Sequence, residues 1–232
     1  PRSRARIISG VRSFYKFLLY TNRISDDPTA LIELPQLGIH LPEVLTLDEV
    51  NRLVGAIDMS HPQGQRNRAI IEMLYGSGLR VSELVNLKIS NMYIDEEYML
   101  VEGKGSKQRL VPISSEAIKQ LQLWYVDRSH LDIKPAAVDY VFLNRYGRPL
   151  TRAMIFTIIK NLAREAGIEK NISPHTLRHS FATHLLQNGA NILAISALLG
   201  HESAYTTQIY THMDIHQLRE EVIRCHPMNR HS

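Results

Sequence analysis

Asn171 to Met213 reads N-I-S-P-H-T-L-R-H-S-F-A-T-H-L-L-Q-N-G-A-N-I-L-A-I-S-A-L-L-G-H-E-S-A-Y-T-T-Q-I-Y-T-H-M. Ser173 is a good N-cap and Pro174 suits the first helical position, so His175 falls in the first turn of a helix that Asn188-Gly189 stops. Asn191 can cap a second helix, in which Ile192, Ile195, Leu198 and Leu199 form a buried face and which Gly200 closes. A third, short helix is expected over Thr206 to Tyr210, with Ser203 as its cap. Among these apolar segments stand His175, Arg178, His201 and Tyr210, groups that need a partner or a ligand beside a packed interior.

Upstream, the helical period continues. Thr151 caps a helix to about Ala166, with Gly167 ending it, and Ser115 to Val126 is amphipathic, with Ile118, Leu121 and Tyr125 inward and Trp124 near its boundary. Tyr140 to Leu143 form a short buried element and Asn144 to Pro149 a turn. Between Met92 and Ser114 the period changes to two. Strands near 92–95, 98–102 and 108–113 give a small antiparallel sheet, with a turn at Asp95-Glu96-Glu97 and a second at Gly103 to Lys107 that points a lysine outward. Pro112 favours an edge position for the last strand.

Further back, Arg66 to Tyr75 suggest a helix with Ala69, Ile70, Met73 and Leu74 on its apolar face. Gly76-Ser77-Gly78 interrupts it, and Ser82 to Leu87 resume it, leaving Arg80 at the turn. Thr46 with Glu49 three residues on is a capping box, opening a helix to about Ile57. Residues 34 to 46 carry Pro35, Gly38 and Pro42 without a sustained period and read as a linker. Residues 6 to 20 are a helix with Ile7, Val11, Phe14, Phe17 and Leu18 in one stripe, and Pro28 is placed to open a short helix through Ile32. At the other end, Ile215 to Arg224 form a last helix whose strip of Ile215, Leu218, Val222 and Ile223 closes this chain's own core or docks on a neighbouring copy. The fold class is mainly α with a small antiparallel β-sheet.

The chain has 232 residues, 44% hydrophobic and 22% charged, ordinary for a globular protein, and no apolar run reaches the roughly 18 residues of a membrane span. The first twenty residues lack the apolar run of a secretory signal. With Cys225 as the only cysteine there is no intrachain disulfide, and a cytoplasmic protein is expected. The net charge of +4 suits a polyanionic partner.

His175 and Arg178, three residues apart, share one side of a helix. An arginine there can fork onto phosphate oxygens beside the positive helix end, and Arg80 can supply a second guanidinium. Two such groups bracketing a phosphate stabilise charge on its nonbridging oxygens as a pentacoordinate transition state forms. Tyr210 offers a phenolic oxygen whose ionisation nearby cations would favour, with His175 a candidate to take its proton, His201 to bond a phosphate oxygen and Lys104 to protonate the departing oxygen, contacts that the sequence alone does not establish. Residue types alone leave open unrelated histidines and a core tyrosine. His175, His179 and His184 invite a zinc comparison, but H-x-x-x-H is not H-E-x-x-H, and Gly103-Lys104-Gly105 lacks the spacing of a P-loop. Neither a metal nor a nucleotide cofactor is expected.

Taken together, F-Y-K-F-L-L at 14–19, Y-G-S-G-L-R-V-S-E-L at 75–84, V-E-G-K-G-S-K-Q-R-L-V-P at 101–112, H-T-L-R-H-S-F-A-T-H-L-L at 175–186 and L-L-G-H-E-S-A-Y-T-T-Q-I-Y-T-H at 198–212 resemble, in this order, the tyrosine recombinase or phage integrase family, and its bacterial Xer branch in particular. The resemblance implies the DNA breaking-rejoining catalytic fold and assigns Arg80, Lys104, His175, Arg178 and His201 to catalysis, Tyr210 as nucleophile and Glu83 as a supporting acid. Tyr205 departs from the small polar residue common before T-T, leaving every catalytic position filled.

The resemblance further implies attack by Tyr210 on a duplex-DNA phosphate, a 3′-phosphotyrosyl link, and strand exchange through a four-way junction by four subunits, identical or of two kinds, without ATP. Chromosome-dimer resolution with a paired recombinase and a DNA-translocating division protein is one role. Integration or inversion of a mobile or phase-variable element is another, and a type IB topoisomerase and a noncatalytic architectural DNA-binding protein are the rivals. By the same resemblance, residues 1–34 correspond to the last part of an N-terminal DNA-clamping (core-binding) helical domain, 35–45 to the linker, 46–213 to the catalytic domain and 214–232 to a C-terminal helix and tail. The chain is then expected to be a piece of a protein heavier than 26.5 kDa.

Overall fold

Thr46 shows how local chemistry starts the main body of the chain. Its hydroxyl accepts from the Glu49 N–H at 3.1 Å, and the Glu49 carboxylate accepts from the Thr46 N–H at 2.7 Å, the two halves of a capping box. This opens α2 (Leu47–Gly55), and Lys170 locks the same carboxylate at 2.6 Å while also donating to the Val44 carbonyl at 2.9 Å.

The protein is described by a computed structural model over residues 2–33, 35, 43–103, 107–200 and 215–229. Two compact units divide it, 1–41 and 42–232. The first holds α1 (Arg2–Tyr20) and a set of turns. Pro28 does not open the expected helix. The Asp27 carboxylate instead accepts from the Thr29 N–H and hydroxyl, at 2.8 and 2.6 Å, and folds residues 28–31 into turns.

In the second unit α3 (Gly64–Gly76) is buried on most sides and packs between α5 (Ser115–Ser129) and α7 (Pro174–Gln187). A loop at 77–80 leads to α4 (Val81–Val85) and then to a three-stranded antiparallel sheet of β1 (Met92–Tyr93), β2 (Tyr98–Glu102) and β3 (Gln108–Pro112). Register pairs Met99 with Val111 and Val101 with Arg109, so that arginine shares the inward face. β3 is an edge strand, where Pro112 costs no ladder bond.

The helix holding Trp124 is longer than the expected Ser115 to Val126. α5 runs on to Ser129, and the indole is core, its Nε1 donating to the Val141 carbonyl at 2.9 Å and fixing the buried 141–143 segment. Thr151, Ser173 and Asn191 cap α6 (Arg152–Glu165), α7 and α8 (Ile192–Leu199) through their side chains, as the sequence predicts. Gly200 ends α8 in the left-handed conformation.

The last helix, α9 (Ile215–Cys225), packs on its own chain against β3, α7 and α8. Its buried stripe is Leu218, Val222 and Cys225, while Ile223, expected inward, is exposed because it lies one residue off the 3.6-residue period. Asn188 donates to the Cys225 carbonyl at 2.8 Å, and Glu221 accepts from the Asn191 N–H at 2.9 Å, so the tail also closes the ends of α7 and α8.

Beyond α9, His226 is fully buried, its ring 4.8 Å from Tyr75 and 5.6 Å from Phe181. Burial pushes its pKa down to about 4, so it is neutral in the fold and titrates near the ordinary histidine value once unfolded. Its contribution to stability is therefore complete above that ordinary value and is lost as pH falls towards 4, about 3 kcal/mol in all. Urea unfolding at pH 7 and pH 4.5 should show this loss, and His226→Phe should remove most of the difference; an unchanged pH dependence would contradict a buried neutral imidazole.

Candidate active site

The loop after α3 has to bring its backbone against two helices. Gly78 adopts a φ of +60°, and a Cβ there would fall 2.5 Å from Phe181 Cδ1 and 3.2 Å from Leu199 Cδ2, so only glycine fits. That approach puts the Gly78 carbonyl within 2.6 Å of Arg178 Nη1, and Arg178 Nη2 donates to the Leu199 carbonyl at 2.5 Å. Arg178 is thus fixed from two sides, with only 6% of its side chain exposed.

Arg80 sits at the N-cap of α4. Its N–H donates to Glu83 Oε2 at 2.8 Å, its Nη1 to Glu83 Oε1 at 2.7 Å and its Nη2 to the Gly200 carbonyl at 2.9 Å. At 38% exposure its guanidinium reaches the surface while Glu83, at 2%, lies beneath. Arg178 Nη1 stands 3.9 Å from the same carboxylate, so Glu83 joins the two arginines expected to bracket a phosphate.

A residue that sequence reasoning missed completes the cluster. Arg109 of β3 forks onto Glu83 with Nη1 at 2.8 Å and Nη2 at 2.9 Å, and its Nε donates to the Leu198 carbonyl at 3.0 Å. The available signal was its register, since alternation of Arg109, Val111 and Ile113 puts an arginine on the inward face, where a charge needs a partner. Arg109, Arg178 and Arg80 thereby hold the successive carbonyls of Leu198, Leu199 and Gly200, the negative end of α8.

Burial alone would raise the Glu83 carboxyl, but the bonds and charge of Arg109, with the Arg80 bonds, outweigh it and hold Glu83 below the usual carboxylate range. Burial pulls Arg178 down to about 10, with the Arg80 charge adding to the effect and Glu83 opposing it. It remains a cation at neutral pH. One carboxylate against three guanidiniums leaves an excess of two positive charges, arithmetic that suits a phosphodiester anion.

His175 is itself exposed in the otherwise buried first turn of α7, three residues before buried Arg178. His184, one of the three histidines that invited a zinc comparison, is a core residue whose Nδ1 is 2.7 Å from the Tyr75 hydroxyl. Burial lowers its pKa and raises that of Tyr75, so the bond joins a neutral imidazole to a neutral phenol. Among the described residues no cluster of potential metal ligands occurs, and no helix is long and apolar enough to cross a membrane. Lys104, His201 and Tyr210, and the helix expected over 206–210, lie outside the described residues.

The sequence profile of the phage integrase family matches residues 43–217, spanning every element of this cluster. The chain belongs to that family. This phage integrase family member is 44% identical over 228 residues to the tyrosine recombinase XerD of Listeria innocua, covering 98% of this chain and 77% of the relative, and 42% identical over 227 residues to that of Staphylococcus haemolyticus, covering 97% and 77%. Its fold resembles the crystal structure of XerA recombinase, with a TM-score of 0.65 and 33% identity over 95% of this chain and 84% of that one. It also resembles XerH site-specific recombinase bound to a palindromic difH substrate after cleavage, with a TM-score of 0.67 and 32% identity over 86% of this chain and 58% of that one. The chain is a tyrosine recombinase closely related to the Xer enzymes, and the mainly helical fold with a small antiparallel sheet is theirs.

Proposed function

We propose that this tyrosine recombinase cleaves and rejoins duplex DNA at one short site through a covalent link to Tyr210. The observation that carries the reading is the placing of Arg80 and Arg178 on one buried carboxylate and on adjoining carbonyls at the end of α8, immediately before the segment that contains His201 and Tyr210. A guanidinium has five N–H groups, and the bonds to Gly78 and Leu199 take two of those on Arg178, so an oriented donor set remains for phosphate oxygens.

Tyr210 Oη bonds to phosphorus as the bond to the 5′ oxygen breaks; His175 takes the phenolic proton, Lys104 gives a proton to the leaving oxygen, and His201 with the two arginines stabilises the pentacoordinate charge. The 5′ hydroxyl of a partner strand reverses the ester, so bond energy is conserved. Four subunits, identical or of two kinds, exchange strands between two sites through a four-way junction. The similarity to XerD, and to XerH on difH DNA, supports site-specific recombination; within that reading the favoured role is chromosome-dimer resolution in the cytoplasm, with a second recombinase and a DNA-translocating division protein as partners. Residues 1–34 serve as the last part of a DNA-clamping domain, 35–45 as linker, 46–213 as the catalytic body, and 214–232 as a C-terminal helix and tail able to dock on a neighbouring subunit.

The test is covalent capture on nicked duplexes selected from genomic fragments, with sequencing of the attached strand. Adducts confined to one palindrome-like site are expected. Sequence-tolerant adducts with relaxation of supercoiled plasmid would instead make the protein a topoisomerase.

A further inference from the structure

Three guanidiniums meet at Glu83, and they are not equivalent. Arg80 is more than one-third exposed and, among the described residues, Arg178 donates to backbone carbonyls, whereas Arg109, 15% exposed, spends three donors inward, two on the carboxylate and one on Leu198. A fork of this geometry fixes a carboxylate in plane and orientation, which a single ion contact cannot. Glu83 in turn holds Arg80 by both its N–H and its side chain.

Arg109 also touches the two segments that bring in the remaining chemistry. Its guanidinium lies 3.8 Å from where a Cβ on Gly103 would stand, at the base of the turn that carries Lys104 and that Gly103 closes by donating to the Lys107 carbonyl at 2.8 Å. Its Cδ lies 3.1 Å from the corresponding point on Gly200, which adopts a φ of +60° directly before His201. The side chain therefore lies against both exits, within ordinary contact of a Cβ at Gly103 and close enough at Gly200 that a Cβ there would press on it.

We propose that Arg109 is a positioning residue for strand cleavage: it contacts no DNA and acts by orienting Glu83, hence Arg80, and by anchoring the end of α8 from which His201 and Tyr210 are delivered. The proposal rests on the roles given above to Arg80 and Tyr210. A displacement of about 1 Å in a phosphate clamp costs on the order of 100-fold in rate without a matching loss of binding.

The experiment compares wild type, Arg109→Met and Arg109→Lys on a nicked suicide duplex, reading the single-turnover rate of adduct formation at saturating protein, the DNA dissociation constant and its salt dependence, and the melting curve. For Arg109→Met the rate should fall by about 100-fold while the dissociation constant stays within about threefold and the salt slope is unchanged. Arg109→Lys should remain at least about tenfold slow, because an ammonium cannot make two parallel bonds and a third to Leu198. If the methionine variant does not fold, the lysine variant decides alone. A rate within threefold of wild type overturns the proposal. So does a loss of affinity equal to the loss of rate with the salt slope reduced by about one, which would make Arg109 a phosphate contact. Absence of adduct from the wild type overturns the Tyr210 reading and this proposal with it.

Discussion

Arg178→Met should slow formation of the tyrosine–DNA adduct by about 100-fold to 1,000-fold or more, the range found when one preorganised donor is taken from a charge-stabilising site. The effect falls on the chemical step. Arg178 lies on the floor of the cluster, so its loss removes transition-state charge stabilisation while the more exposed Arg80 still meets the backbone. Stability changes less than burial suggests. The Gly78 and Leu199 carbonyls lose their donors, about 1–3 kcal/mol each, but a cation that sits beside Arg80 and Arg109, and is already pulled down to about 10, is also removed. Arg178→Lys should not restore the rate, since one ammonium cannot span both carbonyls and a phosphate. Single-turnover cleavage checks this, and a rate within tenfold of wild type would remove Arg178 from the reaction.

Glu83→Gln should give the largest loss of stability. The substitution keeps the shape but deletes the carboxylate to which Arg80 and Arg109 are bonded, leaving three guanidiniums around a neutral amide whose NH2 offers another donor where an acceptor is needed. Breaking a buried ion pair from one side costs about 3–5 kcal/mol, and for a chain of this size that corresponds to about 6–20 °C in melting temperature. The pH dependence fixes the sign. A carboxyl held below its ordinary range contributes fully above the ordinary carboxylate pKa and less as pH falls through its folded value, so wild type should lose stability on acidification and the glutamine variant should lose less. Thermal denaturation from pH 7 to pH 3 measures both. Equal melting temperatures at pH 7 would mean that Glu83 is not the keystone of the cluster.

How much of this was legible in the sequence depended on the range of the interaction. The capping box of Thr46 and Glu49, the caps of α7 and α8, and the stop at Gly200 are decided by neighbours three or four residues away, and each formed where the pattern placed it. Pro28 shows the limit even locally, because the Asp27 carboxylate captured Thr29 before a helix could form. Arg109 escaped notice because its partners, Glu83 and Leu198, stand 26 and 89 residues away: strand alternation turns it inward but does not say what it meets there. The bond between Tyr75 and His184 spans 109 residues and is likewise tertiary. The family resemblance of the motifs singled out Arg80, Glu83 and Arg178 as candidates. Their common carboxylate, and the three carbonyls they share, required the fold.

Delivery of the Tyr210 hydroxyl to a DNA phosphorus is tested most directly by peptide mapping of the adduct that wild type and Tyr210→Phe form on a nicked suicide duplex. The account predicts a wild-type adduct in which the 3′ phosphate is esterified to Tyr210, and none from the phenylalanine variant, although that variant binds the same duplex with unchanged affinity. An adduct of equal yield from Tyr210→Phe, or one mapped to another side chain, would contradict it.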